Sequence, residues 1–84
     1  MEPERTAEAV RRLRRAQGQL AGVLRMIEDD RDCEEVLTQL AAVSRALDRA
    51  GFSLICCSLA QTLEAGAEGA AKRARLERLF LSLA

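Results

Sequence analysis

The chain has no histidine, no tryptophan and no tyrosine. Without histidine there is no imidazole acid–base chemistry, no Ser–His or Cys–His nucleophile and no His-ligated zinc. Three cysteines are too few for an all-thiolate, four-ligand zinc site within one chain. Their odd number and irregular spacing also exclude the disulfide framework of a small secreted domain. A reducing compartment is expected, and with it a cytoplasmic location. The first residues, Met-Glu-Pro-Glu, are acidic and lack the apolar stretch of a secretory leader. The longest weakly polar run, Ala50 to Ala60, is too short to span a bilayer, so no membrane association is expected. No catalytic base, oxyanion loop or cofactor motif is present, and the chain does not read as an enzyme.

What is present is apolar and helix-forming. Apolar residues make up 49% of the 84, a globular rather than a disordered composition. One domain over residues 1–84 is expected. A chain of that size buries a smaller fraction of its surface than a larger domain does, so partner subunits are expected to complete its core. β-branched and aromatic residues are scarce, while Ala, Leu, Arg and Glu dominate, which favours helix throughout.

Thirteen basic and thirteen acidic residues cancel, but they are unevenly placed. Between Arg11 and Arg25 there are five arginines and no acid; between Glu28 and Glu35 there are six acids against Arg31. From Lys72 to Arg78, four bases face Glu77. A zero net charge argues against a general polycation, yet a clustered basic face can still meet phosphate. The plainer reading of such a face is a solvated helix surface.

Three helices are predicted. The first runs from about Glu4 to Glu28, with Pro3 suited to a first turn and a stripe of Leu13, Ala16, Leu20, Val23, Leu24 and Ile27 at spacings of three and four. Gly18 and Gly22 share a face on which another helix could approach closely. After an acidic turn, Asp32 reads as an N-cap with Glu35 completing a capping box. The second helix runs from Cys33 to about Leu63, roughly 45 Å at 1.5 Å per residue. It carries two apolar stripes, Val36–Leu40–Val43–Leu47–Ala50–Leu54 and, nearly opposite, Phe52–Cys56–Leu59–Leu63. One antiparallel neighbour cannot cover both, so other subunits are expected over the second. Glu64 to Ala70 is a glycine-punctuated hinge. A third helix, about Ala71 to Leu83, aligns Leu76, Leu79, Phe80 and Leu83.

The segment from Arg12 to Ala50 resembles the CsoR/RcnR family of bacterial metal- and thiol-responsive repressors. The likeness is carried by Arg12-Leu13-Arg14, Gln17-Gly18-Gln19, Gly22-Val23 and Met26-Ile27-Glu28. It continues through Cys33, Val36-Leu37, Gln39, Ala42-Val43 and Ala46-Leu47. The resemblance implies an all-α fold: an antiparallel four-helix dimer of the first two helices, assembled as a dimer of dimers with help from the third. It implies a homotetrameric repressor that binds double-stranded operator DNA and lets go when an inducer acts on it. Arg12 and Arg49 are expected to contact DNA, with Arg14 and Arg15 in support. Arginine's planar fork suits phosphates and guanine edges.

The likeness is partial at the sensing site. The family pattern is a Cys at the start of the second helix, a His twenty-five residues on, and a Cys or His four further. Here those positions are Cys33, Ser58 and Thr62. Hydroxyls are poor ligands for soft metals, so of these three positions Cys33 alone is a metal-ligand candidate. Two inducer chemistries stay open. One is thiol modification of Cys33 by an oxidant, electrophile or reactive sulfur, with Cys57 or Cys56 of a neighbouring subunit as resolving thiol. The other is Cu(I) held by Cys33 and one of those thiols. Ser58 and Thr62 tilt the reading toward thiol chemistry. Cys56, between Phe52 and Leu59, also reads as a small packing residue. A competing function, from a different class, is a helical oligomerisation module with neither DNA binding nor sensing.

Overall fold

The computed structural model describes residues 3–83. Met1 and Glu2, on which the expectation about a leader partly rests, lie outside them. Among the described residues there are three α-helices and no strand. These are α1 (Pro3–Glu28), α2 (Cys33–Glu64) and α3 (Ala70–Leu83), with a 3₁₀ turn, Gly66–Gly69, between the last two. α1 and α2 pack side by side, and α3 folds back along the second half of α2 without touching α1. The result is a flat layer of 54 × 25 × 12 Å with α2 in the middle. Two layers are needed to enclose a core, and this chain builds one.

The α1–α2 seam explains its thinness. Ala9, Ala16 and Val23 are buried at seven-residue intervals on α1, against Val43 and Ala50, seven apart on α2. Residues this small let the two helices lie close, and a seven-residue period keeps them in register along an antiparallel pair. The larger side chains flank the seam and stay open. Leu20 is 44% exposed, Ile27 58%, Leu40 44% and Leu47 47%.

Neither apolar stripe of α2 is closed within the chain. Its second stripe is covered in part by α3 of the same chain. The Phe52 and Phe80 rings sit 5.5 Å apart at 54°, and Leu83 lies over Gly51. Phe52 still stays 51% exposed and Leu63 67%, while the first stripe buries Val43 and Ala50 against α1 and leaves Leu40 and Leu47 half open. The reason is side-chain size: α1 meets α2 through alanines and valine, and its leucines point past the seam.

Three turn details follow from local chemistry. α1 ends in a Schellman arrangement, with the Arg31 N–H donating to the Met26 carbonyl and the Asp30 N–H to the Ile27 carbonyl. Asp30 takes the left-handed position at φ 57°, which aspartate tolerates better than most residues. The capping box is absent. Asp32 is the N-cap residue of α2, but its side chain makes no capping bond, and Glu35 instead accepts a hydrogen bond from Arg31. Gly18 and Gly22 have no helix near them within the chain.

Gly69 is different. A β-carbon there would lie 2.2 Å from the backbone oxygen of Thr62, so only glycine lets the 3₁₀ turn close onto α2. Gly69→Ala should destabilise the fold by about 2 kcal/mol or more, as over-packing against immobile backbone does. Thermal unfolding with far-UV circular dichroism would show the loss; an unchanged midpoint would contradict this packing.

Candidate nucleic-acid interface and sensing thiols

The two broad faces of the α1–α2 layer differ in chemistry. One is apolar, with a groove lined by Val10, Leu13, Leu20, Val43 and Leu47. The other carries a groove lined by Arg12, Arg15 and Gln19 from α1 and by Ala42, Arg45, Ala46 and Arg49 from α2. The antiparallel pairing produces this groove. Arg12 and Arg15 flank the seam from one helix, Arg45 and Arg49 (one turn apart) from the other, and the two alanines form a low floor between them.

Arg12, Arg15 and Arg49, three of the residues expected at DNA, thus share one groove. Arg14 does not join them, because it lines the apolar groove on the opposite face. Residues 12 and 14 are 200° apart around a helix, which separates them across the seam. Arg45 completes the groove without having stood out in the sequence, where the acid-free run of arginines lies on α1. Its spacing of four from Arg49 is the signal that places it there.

The Arg12 guanidinium is oriented before any ligand arrives. Its Nε and Nη2 donate to Glu8 Oε1 at 3.1 and 2.7 Å, one turn earlier on α1. The hydrogen bond and then the charge of Arg12 hold the Glu8 carboxyl below the usual carboxylate range, with Arg11 adding a smaller pull. Ionisation of Glu8 is favoured in the fold, so this contribution is present above the unfolded pKa and lost as pH falls through the lowered one. A phosphate approaching Arg12 shares it with an exposed carboxylate, and the pair costs little to open.

Beyond the arginines, the same face deepens into a cavity of about 710 Å³ between the α1–α2 seam and the end of α3. Arg12 and Arg49 stand on it together with Phe52, Phe80, Leu83, Cys56 and Cys57. Cys56 is exposed and Cys57 half-buried. Within one chain Cys56 is thus unpacked, although it lies in the stripe expected to meet other subunits. Phe80 and Leu83 of α3 line the same cavity as the Cys56 thiol. The Cys57 thiol donates to the Arg5 carbonyl and so helps tie the start of α1 to α2.

Cys33 is exposed and opens α2 at the opposite end. Twenty-three residues of helix separate it from Cys56, about 35 Å, so the two cannot meet within one chain. The other positions of the family's sensing pattern are unpromising as ligands. Ser58 is half-buried. Thr62 is 3% exposed, its hydroxyl donates to the Leu59 carbonyl at 2.7 Å, and its own carbonyl accepts from Arg73 at 3.0 Å. Thr62 is committed to the docking of α3. Among the described residues no group of three or more His, Cys, Asp or Glu side chains could hold a metal ion. One chain alone does not fit a copper site.

An all-α layer with a cationic groove on one face and an exposed thiol at a helix start is thus what the residues build. Residues 5–82 match the metal-sensitive transcriptional repressor family, and the chain belongs to that family. Among curated relatives, it is 49% identical over 45 residues to the copper-sensing transcriptional repressor RicR of Mycobacterium tuberculosis, covering 54% of this chain and 47% of that protein. It is 42% identical over 53 residues to the copper-sensing transcriptional repressor CsoR of Mycobacterium bovis (60% and 44%). It is 39% identical over 44 residues to CsoR of Bacillus subtilis (52% and 44%). The match spans about half the length of these relatives. No solved structure matches the chain. No helix among the described residues is long and apolar enough to cross a membrane.

Proposed function

We propose that the protein is a cytoplasmic transcriptional repressor that grips operator DNA through the Arg12–Arg15–Arg45–Arg49 groove and is released when an inducer acts at Cys33. The observation that carries this reading is the convergence of four arginines from two helices on one face of a layer whose other face is apolar. The shape suits a backbone of phosphates rather than a single small anion. Arg14, on the apolar face, is not among the DNA-facing residues.

The apolar face supports the assembly. Two copies packed through Leu20, Leu40 and Leu47 form an antiparallel four-helix dimer with both basic grooves outward, and a dimer of dimers extends the DNA surface. Leu47→Glu should split the dimer by burying a charge in its middle, with sedimentation giving a smaller species and weaker DNA binding. A parent protein that sediments as a folded monomer at micromolar concentration would remove the assembly from the proposal.

Antiparallel pairing about a two-fold axis near Val43–Leu47 brings Cys33 level along the helix with Cys57 of the partner subunit, since residues 33 and 57 lie equally far from residue 45; that thiol must leave the cavity on the basic face and its bond to the Arg5 carbonyl to react there. That juxtaposition favours thiol chemistry at Cys33, with a resolving thiol across the interface. Cu(I) is the second reading, favoured by the names of the relatives. It requires the same two thiols, because Ser58 and Thr62 offer no soft donor. Electrophoretic shift of an operator selected from random duplexes, repeated with Cu(I) and with a polysulfide, separates the readings. Release by one agent alone assigns the inducer. A protein that shifts no duplex at all is the oligomerisation module instead.

A further inference from the structure

The function above uses Arg12, Arg49 and Cys57 at the edge of the cavity behind the arginine groove but assigns no role to the space itself or to Cys56. Its volume of about 710 Å³ is within the range of small-molecule sites, about 300–1,000 Å³. Its lining is mixed: the tilted Phe52–Phe80 pair and Leu83 give it an apolar part, and Arg5, Glu8, Asp48 and Ser53 a polar one. Arg12 and Arg49 stand at the same cavity, and so do two thiols.

The thiols are not equivalent. Cys57 is half-buried and its S–H is engaged by the Arg5 carbonyl. Cys56 is exposed. They do not form a disulfide with each other, because consecutive Cα atoms are 3.8 Å apart, short of the roughly 4.4–6.8 Å a disulfide spans, and successive side chains on a helix diverge by about 100°. With no third donor beside them, they are not a metal cluster among the described residues. What remains is addition chemistry at one accessible thiol, with an apolar wall beside it to hold the reagent.

We propose that Cys56 is a modification site independent of Cys33, taking small apolar α,β-unsaturated carbonyl compounds, and that the adduct fills the cavity and blocks DNA at Arg12 and Arg49 directly. The step is a conjugate addition. The Cys56 sulfur forms a bond to the β-carbon, the carbon–carbon π bond breaks, and the proton lost by the thiol ends on the α-carbon. No oxidant or second reagent is required. A carbon skeleton seated against Phe52 and Phe80 then occupies the space beside both arginines, so release needs no rearrangement relayed from the far end of α2. The inference rests on the reading of the arginine groove as the DNA interface.

The test uses the full-length Cys33→Ser protein, N-ethylmaleimide as the probe, peptide mass mapping and operator binding. Cys56 should carry the adduct in the folded protein while Cys57 does not. Labelling should weaken operator binding at least tenfold, and bound operator should slow labelling at least tenfold. The Cys33→Ser/Cys56→Ser double variant should show one affinity before and after the reagent. The proposal is overturned if Cys56 is labelled only after unfolding in urea, or if it is labelled and affinity does not change. If the unlabelled Cys33→Ser protein binds no duplex, the DNA reading itself fails and this inference falls with it.

Discussion

Cys33→Ser should bind operator as tightly as the parent and lose release by the inducer assigned at that site. The thiol opens α2 in an exposed turn, about 35 Å along the helix from Cys56 and farther along α2 from Arg49 than either other cysteine. A serine there removes the nucleophile and soft ligand without touching the groove, the seam or the apolar face. Surface substitutions of this kind change stability by roughly 0.5 kcal/mol or less. The expected record is a parent whose operator complex dissociates on adding copper or sulfane sulfur, and a variant whose complex stays intact under the same addition. Retained release in Cys33→Ser would move sensing to the Cys56–Cys57 end of the helix.

The second large effect is at the groove. Arg12→Ala or Arg49→Ala should each weaken operator binding by about 1.5–3 kcal/mol, the range for a hydrogen bond to a charged group, or roughly 10- to 150-fold. Loss of the Arg12–Glu8 pair contributes little to stability, since it is an exposed i,i+4 pair, so the helical content should be unchanged. Removing one arginine from a phosphate should also reduce the dependence of log affinity on log salt by about one unit. Arg14→Ala is the internal control, because its side chain lies on the other face. If Arg12→Ala and Arg49→Ala bind like the parent while Arg14→Ala does not, the faces have been assigned the wrong way round.

Much of the fold is legible in the residues. The three helices follow from a composition almost free of strand formers, and Pro3, the Asp29–Asp32 turn and the glycines at 66 and 69 mark their ends. The pairing of Arg12 with Arg49 comes through the family resemblance, and the structure puts both on one groove. What is not legible depends on size and on the third helix. Periodicity groups Leu13, Leu20, Leu24 and Ile27 with Ala16 and Val23, yet only the two smaller residues lie in the seam. Cys56 looks like core because its neighbours on the stripe are apolar, but the cavity it lines forms only when Phe80 and Leu83, far along the chain, fold back onto α2. The capping box fails because Arg31, one residue before the cap, offers Glu35 a charged donor that the backbone N–H does not match.

The most direct test is a salt titration of operator binding by the parent protein. Four arginines line each groove, and each phosphate neutralised contributes about −0.9 to the slope of log affinity against log salt on duplex DNA. A steep slope, about −4 for one groove and about −7 for a dimer using both, that becomes shallower in Arg12→Ala and Arg49→Ala is the predicted result. Binding that is absent at low salt, or whose slope is near zero and insensitive to either variant, would contradict the assignment of this face to DNA.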